Sequence, residues 1–195
     1  MSTKIESKAI SLSDVGPKLE EQSLLVQTIG VLLGVAILGL LAQVKVYLPF
    51  TPVPVTGQTF GVVLISAMMG KKLGPVTSIL YVLAGAFGAP IYAGGASGWA
   101  VLSGATAGYL VGFPISAWIV GSLAERGWTK SFFKCLATMM IGLLPIFVLG
   151  VAWLTYRMGF ILAIGVGLIP FLPGAAVKTL LATAILQVPF KNANR

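Results

Sequence analysis

The sequence predicts an all-α membrane protein, a bundle of six transmembrane helices joined on one side by loops rich in glycine and proline. Three observations carry this. Of the 195 residues, 57% are apolar and only 9% are charged, which is outside the range of water-soluble globular domains. The apolar residues fall into runs near the roughly 20 residues that a helix needs to cross hydrocarbon. The lysines and arginines gather between alternate runs, as they do in short loops kept in the cytoplasm.

Taken in order, residues 1–22 form a polar tail of mixed charge that lacks the basic, apolar, small-residue order of a cleaved secretory signal, so it is expected to stay on the chain. Residues 23–190 form the six-helix domain, and residues 191–195 a short basic tail. The spans are Leu24 to Val44, Thr56 to Met69, Gly74 to Gly88, Thr106 to Leu123, Phe133 to Leu154 and Pro173 to Val188. The second and third are short, which is tolerated where protein shields the backbone. Gly159 to Leu172 is apolar as well, but Pro170 and Pro173 interrupt it, so it reads as a partly helical outer loop.

The cations then orient the bundle. Lys4, Lys8 and Lys18 precede the first span, Lys71 and Lys72 separate the second and third, Arg126, Lys130 and Lys134 separate the fourth and fifth, and Lys191 and Arg195 follow the last. All four groups fall on one side, while the other side receives only Lys45 and Arg157. Both termini are therefore expected in the cytoplasm, with the chain in the plasma membrane. The opposite loops, "KVYLPFTPVPVTGQT" and "GAPIYAGGASGWAVLSGATAGYLVGFP", are too rich in proline and glycine for lipid-facing helices. Their length and their aromatics Tyr47, Phe50, Tyr92 and Trp99 favour a folded lid or binding surface over plain turns.

Composition also excludes functions. Histidine is absent and Cys135 stands alone, so there is no Cys/His metal cluster, no Ser/His/Asp triad and no disulfide framework. Four of the five carboxylates, Glu6, Asp14, Glu20 and Glu21, lie in the first tail, and Glu125 has no partner for paired-carboxylate chemistry. The chain is not expected to be an enzyme or to carry a cofactor. Its net charge of +8 is not arranged as a basic face interleaved with aromatics, so nucleic acid is not an expected partner. A proton-coupled transporter is disfavoured, because such relays rely on intramembrane Asp, Glu or His.

Lys178 is the exception within the spans. A lysine at that depth is costly unless it faces protein or water, which makes it a functional candidate by default. The alternative is snorkelling of its long stem to the interface. No intramembrane acid is available to pair with it.

The stretches "LPFTPVPVTGQTF", "GKKLGP", "YVLAGAFGAPIYAGGASG", "GATAGYLVGFP", "LAERG" and "FLPGAAVK" resemble, in order, the signature segments of the BioY family, the biotin-binding S components of energy-coupling-factor (ECF) vitamin transporters. The resemblance runs from about Gln43 to Leu186. It implies six helices that bind one biotin near the extracellular end, under the loops joining spans one to two, three to four and five to six. It also implies docking to a transmembrane coupling protein with two ATPase subunits, although some members act alone. The chain itself has no Walker sequence and so no ATP chemistry. Where the family usually carries an aspartate three residues before the lysine, this sequence has Ala175.

Within that expectation Lys178 is a ligand contact. Tyr92, Trp99 and Tyr109 would enclose an apolar bicycle, and Gly94, Gly95, Gly104 and Gly108 would let backbone approach it. For each aromatic an interfacial belt is an equal alternative. Gln58 and Thr106 are neutral hydrogen-bonding candidates, or else helix-to-helix contacts. Gly30 and Gly34 form a small-xxx-small pair for the coupling protein or for internal packing. The expected partners are biotin, membrane lipid, the ECF subunits and further copies of the chain. An S component for another vitamin and a non-transporting scaffold are the competing readings.

Overall fold

The computed structural model describes residues 19–188, so most of the first tail and all of the last lie outside the described residues. Helix α1 covers Leu24–Gln43, and a minimal hairpin follows: β1 (Lys45–Val46) pairs antiparallel with β2 (Val55–Thr56), Lys45 opposite Thr56. Next come α2 (Gln58–Ala86), a 3-10 turn at Ala93–Gly95, the single-turn α3 (Trp99–Leu102) and α4 (Ala107–Glu125). A 3-10 turn at Trp128–Lys130 leads to α5 (Phe132–Met158), α6 (Phe160–Gly167), a third such turn at Ile169–Phe171, and α7 (Leu172–Leu186).

Among the described residues, 5 helical stretches are long and apolar enough to cross a membrane. One of them, α2, is folded on itself, which makes the bundle six-membered. Gly70 has φ 79° and ψ −177°, a backbone conformation open essentially to glycine alone. The chain reverses there. The two arms then lie so close that a Cβ on Gly74 would stand 3.1 Å from Ser66 Cα, and Thr77 Oγ1 donates to Met69 Sδ at 3.4 Å. The arms correspond to the spans read as Thr56 to Met69 and Gly74 to Gly88.

The bend explains the use of Glu125, for which the sequence suggested no role. The second arm begins with backbone N–H groups that lack helical partners. Lys71 N–H donates to Glu125 Oε1 at 2.8 Å, and Lys71 Nζ lies 3.0 Å from Oε2 of the same carboxylate. An anion at a helix N-terminus is also favoured by the helix dipole. Beside this pair, Lys72 Nζ meets Glu20 Oε2 at 3.0 Å. Gly121 of α4 rests directly on the Gly70–Lys71 backbone with no room for a Cβ.

The core runs between the α2 arms, α4 and α5, with Tyr81, Val120, Met139, Ile146 and Leu154 all fully buried. Glycines make the close approach possible: Gly112 faces the Ile146 backbone and Gly142 faces Val120. Leu24, Leu33 and Leu40 of α1 and Val148 of α5 are exposed, the surface that acyl chains cover.

The two ends of the bundle differ. At the basic end lie the Gly70 bend, Glu125 and the 128–130 turn, which α7 reaches through Gln187 Nε2 donating to Thr129 O. At the loop end lie the β-hairpin, residues 87–106 and α6. The hairpin was not expected from the sequence, where this stretch reads as proline-rich loop, and neither was the single turn of α3 within the glycine-rich loop. The segment read as a partly helical loop is α6 plus its 3-10 turn, held at the loop end by Thr51 Oγ1 donating to Val166 O (2.6 Å) and Tyr109 OH donating to Gly167 O (2.7 Å). The glycine-rich loop is anchored rather than loose: Tyr81 OH donates to Ile91 O at 2.8 Å, Gly98 N to Gly85 O at 2.7 Å, and Gln43 Nε2 to Tyr92 O at 3.2 Å.

Candidate ligand-binding site

Two adjoining cavities open at the loop end. The inner one, about 50 Å³, is bounded by Lys178 and Ala175 of α7, Gln58 and Thr59 of α2, Tyr109 and Phe113 of α4, Phe147 of α5 and Phe171. The outer one, about 260 Å³, lies beneath Tyr47, Pro52, Tyr92 and Gly104. Pro54, Gln58, Thr106 and Leu110 line both, so they form the partition between the two spaces. Joined, the two approach the lower end of the roughly 300–1,000 Å³ common for small-molecule sites.

Lys178 supplies the charge. Its Nζ donates to Thr56 O at 2.6 Å and to Thr59 Oγ1 at 3.1 Å, both neutral acceptors. The ion pairs among the described residues are both at the basic end, so this ammonium faces the cavity without a counter-ion. Ala175 stands one turn before it on the same wall and presents only a methyl group. The remaining wall is aromatic, and Tyr109 uses its hydroxyl on Gly167 O, leaving the ring against Phe171 at 6.3 Å. A charged or polar head with an apolar ring body fits this division of surface.

Of the residues singled out in the sequence, Lys178, Gln58, Thr106 and Tyr109 converge on the inner cavity, and Tyr92 and Gly104 line the outer one. Tyr92 is buried, donates its hydroxyl to Val82 O, and packs edge-on to Tyr81 at 5.8 Å. Gly104 accepts from Trp153 Nε1 at 2.7 Å. The others lie outside both cavities. Gly94 and Gly95 have φ of 73° and 75°, so the turn itself requires glycine there, and Lys45 Nζ covers Gly94. Trp99 is 61% exposed and leans on Phe87. Gly108 is pressed against the Leu149 backbone and Trp153, a helix-packing contact. Gly34 faces Thr77 and Met69 of α2, and Gly30 faces Leu19, so both serve internal packing.

Thr59, Phe113, Phe147 and Phe171 are the site residues that sequence reasoning missed. Phenylalanines in apolar spans carry no signal that separates a cavity wall from a core. Thr59 adjoins Gln58, and a polar pair at the start of a span was the available cue. A roomier concavity, about 690 Å³, lies elsewhere, between α5 and α6–α7. Its lining is apolar apart from Thr155, and exposed Val148 and Phe160 place it on the lipid face, where a single hydroxyl is the one polar side chain to meet a ligand.

Comparison with known proteins agrees with this architecture. The model of the BioY family matches residues 14–194. A protein named probable biotin transporter BioY from Pyrococcus horikoshii is 37% identical over 156 residues, covering 80% of this chain and 90% of the relative. The biotin transporter BioY of Thermotoga maritima is 41% identical over 139 residues, covering 71% of this chain and 81% of that one. In three dimensions, the crystal structure of the S-component for biotin from an ECF-type ABC transporter superposes with a TM-score of 0.76 at 21% identity, covering 88% of this chain and 96% of that one. A match over nearly the whole sequence, together with the six-membered bundle and its loop-end cavities, establishes that the chain belongs to the BioY family.

Proposed function

We propose that this protein takes up biotin, binding it in the loop-end cavities as the substrate-specific component of an ECF-type transporter or as a transporter that works alone. The observation that carries the reading is the Lys178 ammonium, half-buried, directed at an aromatic cavity and held only by a carbonyl and a hydroxyl. Biotin supplies what such a cavity lacks: acceptor oxygens for the cation and an apolar bicycle for Phe113, Phe147 and Phe171. The role is transport and not catalysis, in keeping with relatives that are named as transporters.

In this reading the loop end faces outward and both termini are cytoplasmic in the plasma membrane, since short cytoplasmic segments collect Lys and Arg. The inner cavity, at about 50 Å³, is too small to hold biotin by itself. Entry therefore moves the Pro54–Gln58 partition and merges the two spaces, and Lys178 exchanges Thr56 O for a ligand oxygen. Because Gly30 and Gly34 are used within the bundle, the coupling protein meets the outer face of α1, where Leu25, Ile29 and Leu33 are exposed. Lipid covers that face when the chain is alone, and a second copy of the chain is a further occupant.

Mass spectrometry of the purified protein tests the substrate. Co-purified biotin, or displacement of the bound molecule by added biotin at micromolar concentration, is the expected result; retention of a different vitamin that biotin fails to displace would reject the assignment. Comparing biotin with its methyl ester then locates Lys178. An ester penalty that disappears in Lys178→Ala puts the lysine on the carboxylate, and equal losses for acid and ester put it on the ureido carbonyl.

A further inference from the structure

Tyr81 lines neither cavity and is fully buried, yet its hydroxyl determines how Gln58 faces the site. The logic runs through donors and acceptors. Ile91 O is a carbonyl and can only accept, so Tyr81 OH, 2.8 Å away, must give it the one proton it has. The Tyr81 oxygen is then left to accept, and the Gln58 side-chain atom 2.6 Å from it must be the amide nitrogen. That turns Oε1 toward Thr56 Oγ1 at 2.9 Å. The threonine hydroxyl is the donor in this contact, because an amide oxygen can only accept, and its own oxygen also accepts the Gln58 backbone N–H at 3.3 Å.

Every rotor in the chain Thr56, Gln58, Tyr81, Ile91 is thereby assigned. Gln58 keeps one unused proton, the second N–H of Nε2, and the residue lines both cavities. Without Tyr81 the amide is symmetric enough in shape to present either end.

We propose that Tyr81 is a positioning residue for ligand selection: it locks Gln58 as a hydrogen-bond donor, so that the site accepts a carbonyl-type oxygen and rejects a ligand that carries N–H groups in the same place. Together with Lys178, the cavity then offers donors where the ligand must bring acceptors. The selection step rests on the biotin reading above, in which the ureido carbonyl is the group met by Gln58. The orientation of the amide does not rest on it.

The test compares biotin with 2-iminobiotin, whose ring carbonyl is replaced by a protonated imine that can only donate. The native protein should prefer biotin strongly. In Tyr81→Phe, the preference should narrow by about tenfold, the scale of one buried hydrogen bond. Gln58→Leu should narrow it to the same extent, and the double variant should match Gln58→Leu alone, because residues acting through one another are not additive. Multiplying effects in the double variant, or an unchanged preference in Tyr81→Phe, would overturn the proposal. A ligand-independent readout accompanies this. In protein labelled with 15N-glutamine, the Gln58 side-chain signals, identified by their loss in Gln58→Leu, should shift and broaden in Tyr81→Phe. Unmoved signals refute the lock whatever the ligand; moved signals in a native protein that fails to bind biotin uphold the lock and reject biotin as the molecule it selects.

Discussion

The two ends of the bundle use their charges in opposite ways. At the basic end two acids each hold a cation: Glu125 holds Lys71, and Glu20 holds Lys72, at 3.0 Å in both pairs. At the loop end the three cations end on neutral groups: Lys45 on Tyr47 OH, Arg157 on Ser103 O, and Lys178 on Thr56 O and Thr59 Oγ1. Paired charges close a surface and tie helices together. Cations held by carbonyls and hydroxyls keep their field, and one that faces a cavity can exchange a carbonyl for a ligand oxygen. The same residue type is structural at one end and receptive at the other because of where the few acids lie.

The largest effect that would break this contrast is at Lys178. Removing one member of a buried charge-assisted contact costs about 2 to 5 kcal/mol, so Lys178→Ala should weaken biotin binding by thirtyfold or more on the same scale. Calorimetry in detergent measures it, with size-exclusion chromatography showing a folded protein. Binding as tight as in the native protein would return Lys178 to the class of snorkelling residues.

At the closed end, Gly70→Ala places a side chain in a backbone conformation that costs about 1–3 kcal/mol, and its Cβ would stand 2.8 Å from Glu125 Oε1. The melting temperature should fall by several degrees on that account, while the folded fraction keeps its affinity for biotin. A selective loss of affinity without loss of stability would mean that the ends are not separable.

A smaller effect sharpens the comparison by moving an acid from one end to the other. Ala175→Asp sets a carboxylate one turn before Lys178, which shares the cation. The preference for biotin over its methyl ester should shrink by about fivefold, near 1 kcal/mol. If the ester preference grows instead, the new acid is reaching the ligand and not the lysine.

The smallest expected change is Glu125→Gln, which keeps a carbonyl oxygen for Lys71 N–H and loses only a half-exposed ion pair worth about 0–1 kcal/mol. Thermal melting should register a degree or two at low salt and nothing at high salt, because exposed pairs are screened. Collapse of the fold would show that the cap depends on charge and not on the hydrogen bond.

The spans were legible because lipid imposes a simple demand, continuous apolar helix between cation-rich loops. Even the short pair around Gly70 was separated by the "GKKLG" break. The β-hairpin was not legible, since strands of two residues are too short to show alternation. In the site, Lys178 and Gln58 were visible as polar groups out of place in apolar surroundings. Trp99, Gly94 and Gly95, which lie outside both cavities, were ambiguous for the complementary reason. Aromatics and glycines at a membrane boundary answer to the interface and to turn geometry as readily as to a ligand, and only packing tells which demand was met.

The Gly70 bend also bears on how the chain enters its membrane. At 1.5 Å per residue the arm from Gln58 to Met69 rises only about 18 Å, against a hydrocarbon thickness of roughly 30 Å. It also carries Gln58 and Ser66, both buried in the finished bundle. Such a segment is too short to cross the hydrocarbon alone. The Gly70 turn therefore lets two short stretches cross the membrane as one paired unit, each arm shielding the backbone of the other.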